Sequence, residues 1–178
     1  PRSQGRYDIP AFARPDIIMN PPKTLILGIG NAIRGDDAIG LLLARELAKD
    51  PPPETTVREL ETSGFEILDT IAGFSTVIII DAMRAKKDDS VGEVICAPLD
   101  ASHPTATLLP SHGFDFSQLI QTWRRAHPER IPADIFFILI KAADVDEFRE
   151  GLSRPLQMKF AQILDDVRAE IKNLLRLD

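Results

Sequence analysis

The 178-residue chain predicts a three-layer α/β/α domain built on a mostly parallel sheet. Three observations carry that expectation. Short, continuous apolar runs read as strands covered on both faces, and stretches with apolar residues at helical spacing alternate with them. No repeat, low-complexity segment or internal boundary interrupts Thr24 to Asp178, so residues 23–178 are expected to form one domain. Pro1 to Pro22 is proline-rich and without periodicity. It is expected to be a flexible leader or an expression remnant (residues 1–22), with Met19 as a candidate natural start.

Leu25, Ile26, Leu27 and Ile29 form the first strand, short and apolar enough to be central and parallel. Gly28 and Gly30 remove side chains at its end, and Asn31 tolerates a sharp turn. From Asp36 the period changes, with Ile39, Leu42, Leu43 and Leu47 on one helical face. Asp36 reads as the N-cap and Asp37 as a first-turn carboxylate favoured by the helix dipole.

Thr56 to Glu61 reads as the second strand. Ser63 with Glu66 makes a capping box for a helix that turns Phe65, Leu68 and Ala72 inward. The third strand, Thr76 to Asp81, ends in a carboxylate. After a charged loop from Arg84 to Asp89, Val91 to Ala97 forms a fourth strand, and so few residues separate these two strands that they are expected to pair antiparallel with each other.

Asp115 and Gln118 give a second capping signature, before a helix with Phe116, Leu119, Ile120 and Trp123 on one face. Ile135 to Ile140 is a further buried strand. Ser153 and Pro155 open the last helix, where Leu156, Phe160, Ile163, Leu164, Val167, Ile171 and Leu174 recur at near-helical spacing.

Composition excludes several classes. With 44% apolar and 27% charged residues the chain is an ordinary globular one, and a net charge of −6 argues against a nucleic-acid or membrane-surface binder. No run approaches a membrane span and no secretory signal is evident, so cytoplasmic residence is expected. The single cysteine, Cys96, cannot form an internal disulfide and reads as a small core residue. His103 and His127, each beside a proline, read as loop and helix-end residues, and Lys86 and Lys87 as a solvated connection.

Chemistry is expected where strand ends converge. In open α/β sheets ligands bind beyond the carboxyl ends of the strands, so Asp37 and Asp81 can meet there. His112, in the turn LLPSHGFDF, is a third candidate. Two carboxylates and an imidazole on separate loops suit a borderline divalent metal with open positions. Asp36 and Asp37 are also candidate acids or bases. A dinucleotide site is the competing reading, with Glu59 or Glu61 as the ribose acid. The glycines lie at 28, 30 and 35, which is not the G-x-G-x-x-G spacing, and the two aspartates would repel a pyrophosphate.

The ordered motifs GIGNAIRGDDAIG (Gly28–Gly40), IIIDAM (Ile78–Met83), SHGF (Ser111–Phe114), and FFILIKA followed by LSRPLQ resemble the nickel-iron hydrogenase maturation endopeptidases, over roughly Thr24 to Leu174. The resemblance implies a five-stranded sheet with one antiparallel strand. It also implies an endopeptidase that trims the carboxyl-terminal extension of a hydrogenase large-subunit precursor. The backbone turn would be made by Gly28, Gly30, Asn31 and Gly40, and Asp37, Asp81 and His112 would engage nickel already inserted in the substrate. Nickel thus enters with the precursor, no organic cofactor is implied, and cleavage follows a histidine or arginine just beyond the last cysteine ligand of the nickel site. Glu61-Thr62-Ser63-Gly64 stands where the family often has a GGT-like turn, and a frequent proline is replaced near Ala142 and Ala143; both loops bear on which hydrogenase is the partner. A non-hydrolytic nickel-sensing chaperone using the same three residues is the remaining alternative.

Overall fold

A computed structural model describes residues 24–61, 66–86, 89–99 and 116–177. The 1–22 leader, the Ser63 half of the capping box, Phe65, Lys87, His103, His112 and Asp115 lie outside the described residues. Five strands form one sheet: β1 (Thr24–Ile29), β2 (Thr55–Leu60), β3 (Thr76–Arg84), β4 (Val94–Pro98) and β5 (Asp134–Ala142), in the order β2-β1-β3-β5-β4. The first four in that order run parallel, and β4 pairs antiparallel with β5. The helices are α1 (Ile39–Leu47), α2 (Glu66–Ile71), α3 (Phe116–Ala126) and α4 (Arg154–Leu175).

Alternation along the strands builds the expected three layers. Ile26, Ile78, Ile80, Ala82, Ile138 and Ile140 face α1 and α4, meeting Ile39, Leu43, Leu47, Leu156, Ile163 and Val167. The intervening residues Leu25, Leu27, Val77, Ile79, Ile135, Phe137 and Leu139 face α2 and α3, meeting Ile67, Leu68, Ile71 and Ile120. Both faces of the sheet are covered, which is why its central strands read as continuous apolar runs rather than alternating ones.

Two strand expectations are corrected. The antiparallel strand exists, but β4 pairs with β5 and not with β3, because β5 inserts between them. A short connection makes a hairpin natural but does not compel one, and β3 gains a longer parallel ladder from β5. That same ladder extends β3 three residues past Asp81, to the Arg84–Ala142 pair. Asp81 therefore does not terminate its own strand. It lies one residue beyond the Gly28–Ile80 pair, the last rung between β1 and β3.

The chain leaves β1 for β2 on one side and reaches β3 on the other, so the sheet changes direction between β1 and β3. A doubly wound sheet opens its crevice at such a point.

Candidate active site

The site begins where β1 stops. The Asn31 side chain accepts the Ile33 N–H at 3.1 Å and its carbonyl accepts the Arg34 N–H at 3.1 Å, so the turn expected at Asn31 forms through that residue's own polar groups. A Cβ on Gly30 would lie 2.1 Å from the Asp37 carbonyl oxygen, so the chain can fold back only over a glycine. Gly28 and Gly40 form a second close approach. A Cβ on Gly40 would meet the carbonyl oxygens of Ile29 and Ile80 at 2.3 and 2.4 Å, and one on Gly28 would meet the Gly40 oxygen at 2.2 Å. These glycines seat α1 directly on the end of β1 and on β3 at Ile80.

Between the turn and α1 runs a short 3-10 segment, Gly35–Ala38, which carries both aspartates. Its N-cap is Arg34, without a side-chain cap bond, and the N-cap of α1 is Ala38. The expectation that Asp36 caps the helix is therefore corrected. Its carboxylate instead accepts the Ser153 N–H at 2.6 Å and the Asp144 N–H at 3.2 Å, backbone donors of the connection between β5 and α4. Donors from a distant segment displaced a local cap.

Asp36, Asp37 and Asp81 are all fully buried, the only acidic side chains so placed among the described residues. Asp81 shares the parity of Val77 and Ile79 and so belongs to the sheet face covered by α2 and α3. Burial pushes its carboxyl well above the usual carboxylate range, the neighbouring charge of Asp37 adds to that, and the Ala82 N–H bonded to its Oδ1 at 2.7 Å opposes both. Asp37 and Asp81, from two different elements, thus lie near enough for the charge of one to act on the other. His112 lies outside the described residues, and among the described residues no three His, Cys, Asp or Glu side chains gather as a metal-binding group.

The rim contains residues that the sequence reading missed. Asp146 accepts from Arg34 at 3.1 Å and from Arg84, joining the turn after β1, the end of β3 and the connection after β5. The Arg84 guanidinium holds the Asp146 carboxyl below the usual range. Arg149 pairs with Asp144 at 3.0 Å, and an isolated parallel bridge links Arg34 to Arg149. Ile33 and Phe148, one step before that bridge on each strand, are 55% and 83% exposed. Charged residues on loops carry no periodic signal, and only their spatial partners reveal them.

Other candidates resolve quietly. Glu59 binds Arg45 across the surface at 2.6 Å, which occupies one of the two acids considered for a ribose, and the two buried aspartates at the turn argue against a dinucleotide. Cys96 is partly buried against the core, and burial followed by Glu170 pushes its thiol up. That is the opposite of an activated nucleophile. His127 packs against Trp123 with ring centroids 4.8 Å apart and ring planes tilted by 43°, just past the end of α3.

The family model described as HycI, hydrogenase maturation protease, matches residues 41–170, a span that contains Asp81 and begins just past the Gly28–Gly40 turn. Solved structures share the architecture. The hydrogenase maturating endopeptidase HybD from E. coli is 22% identical over 85% of this chain and 93% of its own, with a TM-score of 0.68. HybD from Thermococcus kodakarensis is 22% identical over 83% and 97%, with a TM-score of 0.64. HycI from Thermococcus kodakarensis KOD1 is 24% identical over 82% and 90%, with a TM-score of 0.59. No curated protein matches the sequence.

Proposed function

The chain belongs to the hydrogenase maturation proteases, a family of peptidases, and on that premise we propose that it removes the carboxyl-terminal extension of a nickel-loaded [NiFe] hydrogenase large-subunit precursor, reading the nickel in its substrate. The observation that carries this reading is the joint burial of Asp37 and Asp81 at the switch point of the sheet. Two like charges out of water destabilise one another, and a divalent cation delivered between them offsets that repulsion. On this reading the electrostatics of the pair improve when metal arrives.

In this reading Asp37 and Asp81 each offer one carboxylate and His112 offers a ring nitrogen. Such a set, without a thiolate, holds nickel modestly by itself, so the ion stays with the precursor and its thiolates. Shared coordination makes a loaded precursor bind better than an empty one. Nickel brought by the precursor would polarise the scissile carbonyl or lower the pKa of a water, with Asp37 the proposed acid or base that moves the proton. Asp36, its two oxygens engaged by backbone N–H groups, is a poor candidate for that role. No helix among the described residues is long and apolar enough to cross a membrane; processing in the cytoplasm is part of the same proposal.

The test is incubation with nickel-loaded and nickel-free precursor, followed by mass spectrometry. Loss of the terminal extension from the loaded form alone is expected. Equal cutting of both forms would overturn nickel reading. An uncut precursor held in a stable complex would favour the chaperone alternative.

A further inference from the structure

The connection between β5 and α4 has little regular structure of its own, yet it is bound along its length to residues 33–36. Asp36 N–H donates to the Asp144 carbonyl at 2.9 Å, Gly35 N–H to the Arg149 carbonyl at 2.8 Å, and Arg149 N–H to the Ile33 carbonyl at 3.0 Å. The Asp36 side chain closes both ends. Its Oδ2 takes the N–H of Asp144, two residues after β5, and its Oδ1 takes that of Ser153, the N-cap of α4. Arg149 Nη2 sits 4.0 Å from Asp36 Oδ1 while paired to Asp144.

We infer that Asp36 is a positioning residue: it clamps the Asp144–Ser153 connection against the turn, so that Asp37 on one side and the exposed Ile33 and Phe148 on the other present one fixed geometry to a docking substrate. Asp36 is fully buried, and reaching a substrate atom would break one of its two backbone bonds. It acts through its neighbours. A metal ligand or substrate wall displaced by even 1 Å loses much of its effect, with losses of about 100-fold documented for remote misplacements. The inference rests on the maturation-protease reading only for what the wall receives.

Asp36→Asn preserves volume but must turn its amide nitrogen toward one of two N–H donors, whereas Arg149→Ala removes the ion pair to Asp144 and the 4.0 Å approach to Asp36 Oδ1 while leaving the Asp36 carboxylate and its two backbone donors in place. Hydrogen–deuterium exchange of residues 144–153 and processing kinetics on nickel-loaded precursor read out both variants. Each is expected to speed exchange within 144–153 and to lower kcat/KM about tenfold or more, Asp36→Asn and Arg149→Ala alike, the pattern of a shared positioning role. The double variant should fall well short of the product of the single effects, because both act on one clamp.

A kcat loss of about 10²–10⁴ in Asp36→Asn at normal KM, with Arg149→Ala behaving as wild type, would mean a general acid or base and would overturn the inference. Lowered melting temperatures with unchanged kcat and KM would overturn it too, leaving a merely structural bond. Rapid wild-type exchange at 144–153 sinks the clamp whatever the activity. A precursor left uncut by wild type sinks the proposed function instead, while exchange still decides the clamp. If Asp36→Asn fails to fold, Arg149→Ala, at a side chain 39% exposed, carries the test.

Discussion

Asp37 and Asp81 come from different elements, one in the 3-10 segment after β1 and one in β3, yet both are fully buried and the charge of Asp37 helps to push the Asp81 carboxyl upward. Such a pair works against stability and therefore needs a purpose.

Asp81→Asn is expected to stabilise the isolated protein at neutral pH. Because the folded-state pKa of Asp81 is raised, its favourable contribution is fully present below its ordinary value of 3.8 and is lost as pH rises through the folded value. The variant and wild type should therefore melt together near the low end of that window and diverge above it, the variant being higher. A gain of about 1 kcal/mol corresponds to about 2–4 °C for a chain of this size. A difference that does not vary with pH would contradict the electrostatic origin.

Function should move the other way. Asp37→Ala, Asp81→Asn and His112→Ala are each expected to lower processing of nickel-loaded precursor by about 100-fold or more, comparable to losing a positioned acid or base. Mass spectrometry of timed reactions measures it, and a normal rate in any of the three would remove that residue from the proposed nickel-reading set.

Packing at the neck of the site predicts a structural cost. Gly40→Ala places a methyl within 2.4 Å of two strand carbonyl oxygens, and backbone on that side cannot yield easily. Overpacking of this kind costs about 1–3 kcal/mol or more, visible as a lower urea midpoint. A midpoint equal to wild type would show that α1 does not sit as tightly as described.

The surface pair Arg45–Glu59 should be dispensable. Glu59→Gln is expected to change the melting temperature by no more than about 2 °C, since exposed ion pairs are screened and entropically costly. Adding NAD or ATP to wild type should shift it no further. A clear upward shift with either nucleotide would revive the dinucleotide reading.

Cys96→Ala should process precursor within about twofold of wild type, and iodoacetamide should not inactivate the enzyme. Burial pushes the thiol up and so keeps the nucleophilic thiolate scarce. Inactivation by alkylation that tracks modification of Cys96 would contradict this.

Sequence by itself determined the layers and the strand and helix identities, and it picked out Asp37 and Asp81 as the carboxylates to watch. Each of these follows from local periodicity or from the rule that ligands gather where parallel strands end. Tertiary structure alone decided which strand β4 would pair with, because strand pairing is settled by competition between ladders and not by the length of one connection. It alone also decided the role of Asp36. The donors that claim its carboxylate are backbone N–H groups 108 and 117 residues away, and every residue but proline carries that same group, so nothing in the sequence could mark them.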